Sequence, residues 1–473
     1  MSKFIGRQEE LAKLKEITKL KKASFLIVKG RRRIGKSALI KEFGKNFDAF
    51  YSFSGLAPTP HTTHEQQLDE FSRQMSHELN MPAAQYRDWS DIFWALSERV
   101  HTRKILILFD EISWMGSKDP NFLGKIKNLW DLHLSNNPNL IFVICGSASS
   151  WIDKNILSST GFVGRISYTL TLKELSLAEC SKFWPDNISP YEKLKILSVT
   201  GGVPKYLEEI DPKVSAETNI KRLCFTNGGF LVDEFEKIFS DVFLRNSYFY
   251  KKIVNILSTG SKELKEIQHA LGDTYGRISE YLDELESAGF ISKDYTWDLK
   301  TGMDSKLRRY RLKDNYLRFY TKYIEKNLTK IHRDVYNVRV LSNLPEWLCI
   351  IGLQFENLVI NNKFHLYKAL GIRLEDITSE NPFFQRKTNN TPGCQIDYMI
   401  QTKFNTVYVC EIKFSQDEIG ASIIQEVQKK IDAIKLPKSF SVRPVLIHVN
   451  GVNERVVEED YFANIVDVST FLT

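Results

Sequence analysis

Three residues near the end of the chain carry the groups of a metal-assisted hydrolysis. In VYVCEIKFS an apolar run closes on Glu411 and Lys413, spaced so that a strand directs both to one face. The preceding stretch, CQIDYMIQTKFNT, reads as a second strand and a polar turn, and a hairpin centred on Phe404 sets Asp397 opposite Glu411. Opposed side chains stand about 5 Å apart between Cβ atoms, where two carboxylates repel unless a positive charge joins them. Lys413 is one such charge. A Mg²⁺ or Mn²⁺ ion held by Asp397 and Glu411 would be another, lowering the pKa of its water while the ammonium steadies the phosphate. The plain alternative is a solvent-facing charged set on a half-buried hairpin.

A second group of residues points to a nucleotide. SFLIVKGRRRIGKSALIKEF is a buried-strand run, then G-x-x-x-x-G-K-S, then a helical pattern with Leu39, Ile40 and Phe43 on one side. Gly30 and Gly35 let the loop turn tightly, so that the backbone N–H groups of Arg31, Arg32, Arg33, Ile34 and Ala38 face phosphates. Lys36 would reach the β- and γ-phosphates of ATP and Ser37 would hold Mg²⁺. RKILILFDEISWM supplies a second strand, whose Asp110 joins the metal shell and whose Glu111 orients or deprotonates the attacking water. A third run, NLIFVICGSASSW, ends at Ser147, placed to touch the γ-phosphate or that water, or simply to begin a Ser-rich turn.

These groups need elements to hold them, and 473 residues suggest about three domains. With 42% hydrophobic and 26% charged residues the chain reads as globular throughout. A net charge of +7 permits a polyanionic partner without requiring one. Six scattered cysteines, none in a C-x-x-C pair, read as reduced core thiols, and no run reaches a membrane span, so a cytoplasmic protein is expected. From Phe243 to Leu312 the pattern changes to FYKKIVNILSTG, SKELKEIQHALG and TYGRISEYLDELESAGFISKDYTW, followed by the basic SKLRRYRLKD. Three helices and a hairpin of this kind would be a winged helix, with Arg277, Ser279 and Tyr281 outward and Lys306, Arg308, Arg309 and Arg311 on phosphates. Glu280, Asp283, Glu284 and Glu286 on the same helix oppose DNA and leave protein docking as the alternative.

With FIGRQEELAKL, both phosphate-site motifs, ICGSAS, GFVGRISY and GGVPKYL, residues 4 to 210 resemble the archaeal-type P-loop ATPases of the MNS clade, a branch of the AAA+-like and STAND ATPases. The resemblance implies that Gly6 and Arg7 begin an adenine-side box and that Ser147 is a sensor. It also implies that Arg165 senses γ-phosphate charge, in cis or from a neighbouring subunit, and that Pro204 rests against nucleotide. Residues 345 to 450, with D…E-x-K order, resemble the PD-(D/E)XK nuclease core, although Ile396 stands where a proline is frequent. That resemblance implies a third metal-site carboxylate, Glu356, and a following helix, SIIQEVQKKIDAI, with Gln425 as an auxiliary polar contact.

The fold class expected is α/β multidomain: a P-loop NTPase parallel sheet (1–170), a helical lid (171–240), a winged helix and connector (241–330) and a restriction-endonuclease-like α/β domain (331–473). The function expected is ATP hydrolysis coupled to a Mg²⁺- or Mn²⁺-dependent nuclease acting on DNA and gated by nucleotide. Homo-oligomerisation through the ATPase domain and a protein partner on the winged helix are further expectations. The alternatives are a STAND-like switch with a silent nuclease-like domain and an origin-recognition-like DNA binder.

Overall fold

The computed structural model describes residues 4–59, 61–100, 103–147, 149–242, 247–272, 276–389 and 391–473, without the side chains of 240–242. Of the stretches quoted above, Ala148, Phe243, Thr274 and Tyr275 lie outside the described residues. The chain forms two compact units, residues 1–174 and 175–473.

In the first unit, strands β1 (Ser24–Lys29), β2 (Ala49–Ser54), β3 (Ile105–Asp110), β4 (Leu140–Gly146) and β5 (Ile166–Thr171) form one sheet in the order β2-β3-β4-β1-β5. Every pairing is parallel. The unbroken apolar runs of β1, β3 and β4 follow from this, because a parallel sheet is covered on both faces. Phe25 and Ile27 of β1 pack to one side, and Leu26 and Val28 to the other with Leu11 and Leu14 of helix α1 (Gln8–Thr18) and Leu39, Ile40 and Phe43 of α2 (Lys36–Gly44). Helix α3 (Phe122–Leu132) covers the Phe25 side through Ile126, Leu129 and Trp130. Each such buried side chain contributes roughly 1.5–3 kcal/mol, and together they fix the strand ends where the polar motifs sit.

In the second unit, helices α4 (Ser247–Leu257), α5 (Leu264–Leu271) and α6 (Ile278–Ser287) precede an antiparallel hairpin, β6 (Ile291–Trp297) and β7 (Asp304–Leu312). Ile253, Val254, Ile267, Leu282 and Leu285 share one core with Leu312 and Tyr316. Helix α7 (Trp347–Asn361) leads to a second sheet of β8 (Ile377–Gln385), β9 (Cys394–Thr402), β10 (Thr406–Ile412), β11 (Ser441–His448) and β12 (Asn464–Asp467), with helix α8 (Ser422–Ala433) between β10 and β11. The β8–β9 and β9–β10 pairs are antiparallel, and the β10–β11 and β11–β12 pairs parallel. Alternation along the strands divides the layers. Tyr398, Ile400, Cys410 and Ile412 meet Phe355, Leu358 and Val359 of α7 on one face, while Met399, Val407 and Val409 meet Ile431 of α8 on the other.

All six cysteines are free and Cys349 is exposed, so the core-thiol expectation does not extend to it. No described helix is long and apolar enough to cross a membrane.

Candidate functional site

The phosphate-site motifs meet at the carboxyl ends of β1, β3 and β4. Gly30 follows β1 with φ +151°, and a Cβ there would meet the Leu172 carbonyl oxygen at 2.6 Å, so the position admits only glycine without movement. Gly35, at φ 88°, turns the chain into α2, whose first turn has no side-chain cap and keeps its N–H groups for an anion. Lys36, almost wholly buried, folds back to donate to the carbonyls of Gly30 (3.0 Å) and Arg31 (3.2 Å). Ser37 Oγ donates to Asp110 Oδ2 at 2.5 Å across the strand ends, and hydroxyl plus carboxylate is a donor set that suits Mg²⁺ with phosphates. Glu111, held at φ 48°, accepts from both the N–H (3.1 Å) and the hydroxyl (3.0 Å) of Ser147.

The flanking residues buttress this loop. Gly6 and Arg7 both have left-handed backbones, and the buried Arg7 guanidinium donates to the carbonyls of Ile34 (3.0 Å) and Lys173 (2.7 Å) and to Glu10 (2.9 Å). Arg31 pairs with Glu174 at 3.0 Å; Arg32 and Arg33 are half-buried, Ile34 is buried and Ala38 is exposed. Arg165 does not join them. It precedes β5, whose Ile166 pairs with Phe25 near the start of β1, about 13 Å along the strands from the loop after Lys29. There it forms two hydrogen bonds with Asp131 of α3, at 2.6 and 2.8 Å, and this ion pair holds the Asp131 carboxyl down to about 2. The Arg165 guanidinium is thus engaged by Asp131 at the β1 end opposite the phosphate loop. Pro204 begins a short helix, Pro204–Leu207, in the second unit.

In the second unit β9 and β10 pair about Phe404, from Thr402 with Thr406 to Tyr398 with Cys410. One rung further, Asp397 Oδ2 accepts the N–H of Ile412 at 2.9 Å and Asp397 and Glu411 face α8. Glu411 is buried and both its oxygens are taken: Lys413 binds Oε1 at 3.0 Å and Lys430 of α8 binds Oε2 at 2.5 Å. Lys430 also lies 3.5 Å from Asp397 Oδ1. Burial raises the Asp397 carboxyl above its ordinary range, helped by the charge of Glu411. Burial works against the charge of Lys413, yet Glu411 beside it keeps the ammonium up at about 12.

Glu356 lies close enough to the pair to be acted on by the charges of both Asp397 and Glu411. Among the described residues no group of three or more His, Cys, Asp and Glu is placed to hold a metal ion. Glu356 belongs to α7, which packs through Phe355, Leu358 and Val359 on the sheet face of Tyr398, Ile400, Cys410 and Ile412. It is held between the charges of Asp397 and of the buried Arg311 and Arg318, with burial the largest influence and its carboxyl raised. Asp397 and Glu411 alone remain a fit for Mg²⁺, which is commonly bound by one or two carboxylates with water completing the shell. Gln425 is exposed, and the α8 side chains that reach the pair and its lysine are Lys430 and the exposed Glu426, which lies 3.3 Å from Lys413. Lys430 is the residue that the motif does not reveal; its only sequence signal is helical spacing from Val427, which marks the inward side.

The basic run of the hairpin is also used internally. Arg311 binds Asp294 (2.7 Å) and Asn357 of α7, Arg309 binds Ser261 (2.6 Å) and lies over the Phe384 ring, and Arg308 lies over Tyr295. Tyr281 stacks on Phe249 rather than standing free. Of the four basic residues assigned to phosphate, Lys306 is the exposed one.

Residues 4–210 match an ATPase domain predominantly from Archaea, and ATP binding and hydrolysis are assigned to that stretch. An uncharacterized protein of Methanocaldococcus jannaschii is 27% identical over 362 residues, 75% of this chain and 75% of that one. Among solved structures, the Walker-type ATPase of Pyrococcus abyssi aligns at TM-score 0.49 and 16% identity over 67% of this chain and 96% of that one. The ORC2 protein of Aeropyrum pernix, in its ADPNP–ADP complexes, aligns at TM-score 0.41 and 13% identity over 69% of this chain and 94% of that one.

Proposed function

We propose that this ATPase acts on DNA, with phosphodiester hydrolysis at Asp397, Glu411 and Lys413 in a PD-(D/E)XK-like domain, a winged helix between the two activities, and cleavage governed by the nucleotide at Lys36. The observation that carries the proposal is the register of β9 and β10, which sets the buried Glu411 and the half-buried Asp397 side by side with a lysine one step beyond. At the P-loop, Lys36 would turn from its carbonyl partners to the β- and γ-phosphates, Ser37 and Asp110 would hold Mg²⁺, and Glu111, released by Ser147, would take the proton of the attacking water. At the second site Asp397 and Glu411 would hold Mg²⁺ or Mn²⁺, and such an ion would lower the pKa of a bound water. Lys413 neutralises the phosphate during attack.

A second function is favoured by a specific observation: both oxygens of Glu411 are closed by lysines and the hairpin arginines are bound within the protein. Those features suit a nucleotide-dependent switch that docks a protein partner and cuts nothing. The deciding experiment is cleavage of single-stranded, duplex and branched DNA with Mg²⁺ or Mn²⁺, with and without ATP. The nuclease requires cutting that Asp397→Ala and Lys413→Ala abolish and whose ATP dependence Lys36→Ala removes. Intact ATPase activity with no cutting on any substrate establishes the switch.

A further inference from the structure

The two lysines at the carboxylate pair do different things. Lys413 holds one oxygen of Glu411 and leans on the exposed Glu426 at 3.3 Å. Lys430 spans the pair, 2.5 Å from Glu411 and 3.5 Å from Asp397. It reaches them from α8, a separate layer, beside Val427 and Ile431 on the inward side of that helix. Its side chain is 29% exposed against 2% for Glu411, so the long stem can swing outward while the carboxylates stay where the strands put them. A divalent ion bridging Asp397 and Glu411 needs the oxygens that the Lys430 ammonium now occupies, and two cations cannot share that space.

We propose that Lys430 is a resident counter-ion of the Asp397–Glu411 pair and competes with the divalent cation for it, so that metal loading drives the Lys430 side chain out. The inference rests on the pair being a metal site. It gives the protein a metal-free state in which the two carboxylates stay paired and in place, and it makes metal affinity a difference between two cations rather than a property of the carboxylates alone.

Mn²⁺ binding to the full chain without nucleotide, followed by the electron paramagnetic resonance of the free ion, tests this. Lys430→Met is expected to bind Mn²⁺ at least about tenfold tighter than wild type, and Lys430→Arg, which keeps the charge, within about threefold of it. Adding Asp397→Asn to Lys430→Met removes the gain. In the wild type, acylation of Lys430 by an amine reagent, read by mass spectrometry, rises with Mn²⁺ and not with matched NaCl; this measurement decides alone where Lys430→Met does not fold. Binding no tighter in Lys430→Met, with Asp397→Asn still weakening it, overturns the competition and leaves the metal site standing. Flat labelling together with no Asp397-dependent binding in any variant removes both the competition and the metal site.

Discussion

Glu356 is a carboxyl under opposed influences. Burial and the charge of Asp397 favour its neutral form more strongly than Arg311 and Arg318 favour its ionised form, so its pKa is raised. A carboxyl raised on folding binds more protons folded than unfolded, so its stabilising contribution is present at low pH and lost as pH rises through the folded value. Asp397 shifts in the same direction. The urea midpoint of the second unit should therefore fall between about pH 5 and 8, and Glu356→Gln should flatten that slope. An unchanged slope in the Gln variant would remove Glu356 as its source. At this scale the sequence was readable where a single element decides the outcome. The alternation of β9 and β10 was enough to bring Asp397, Glu411 and Lys413 together. It was not enough for Lys430 or for the layer of Glu356, because both depend on how helices pack onto a sheet.

The three helices and hairpin show the same limit for a whole element. Ile278, Leu282 and Leu285 are buried, as their helical spacing requires, but SKLRRYRLKD carries no sign of where its guanidinium groups end. They end on the protein itself. Arg311 is the sharpest case, buried on Asp294 of β6 while also bonded to Asn357, whose amide donates to the Leu312 carbonyl at 3.0 Å. Arg311→Met leaves Asp294 buried without its cation and should destabilise the second unit by about 3–5 kcal/mol in urea denaturation. Arg309→Ala should likewise lower stability while leaving the salt dependence of any DNA binding unchanged. A loss of about one from that salt slope, with stability intact, would return Arg309 to the phosphate contacts.

Among the described residues the hydrophobic clusters respect the division into units. The two that cover the parallel sheet draw on residues 4–172 alone, and the remaining four on residues beyond 174. The first unit thus owns a complete core, and a fragment of residues 1–174 should fold cooperatively and bind an ATP analogue. A fragment that stays unfolded, or folds without binding, would show that residues after 174 complete the nucleotide site. The alternation of strand runs and helical patterns made this sheet readable in advance, since β1, β3 and β4 are continuous apolar runs ending in their polar motifs.

Arg7 adds something to that independence. By joining the carbonyl of Lys173 at 2.7 Å, it brings the beginning and the end of the first unit together. A unit whose termini adjoin can be lifted out, transplanted or circularly permuted at little topological cost. For an evolving lineage such a unit is a cassette, able to change the body it serves without relearning how to fold.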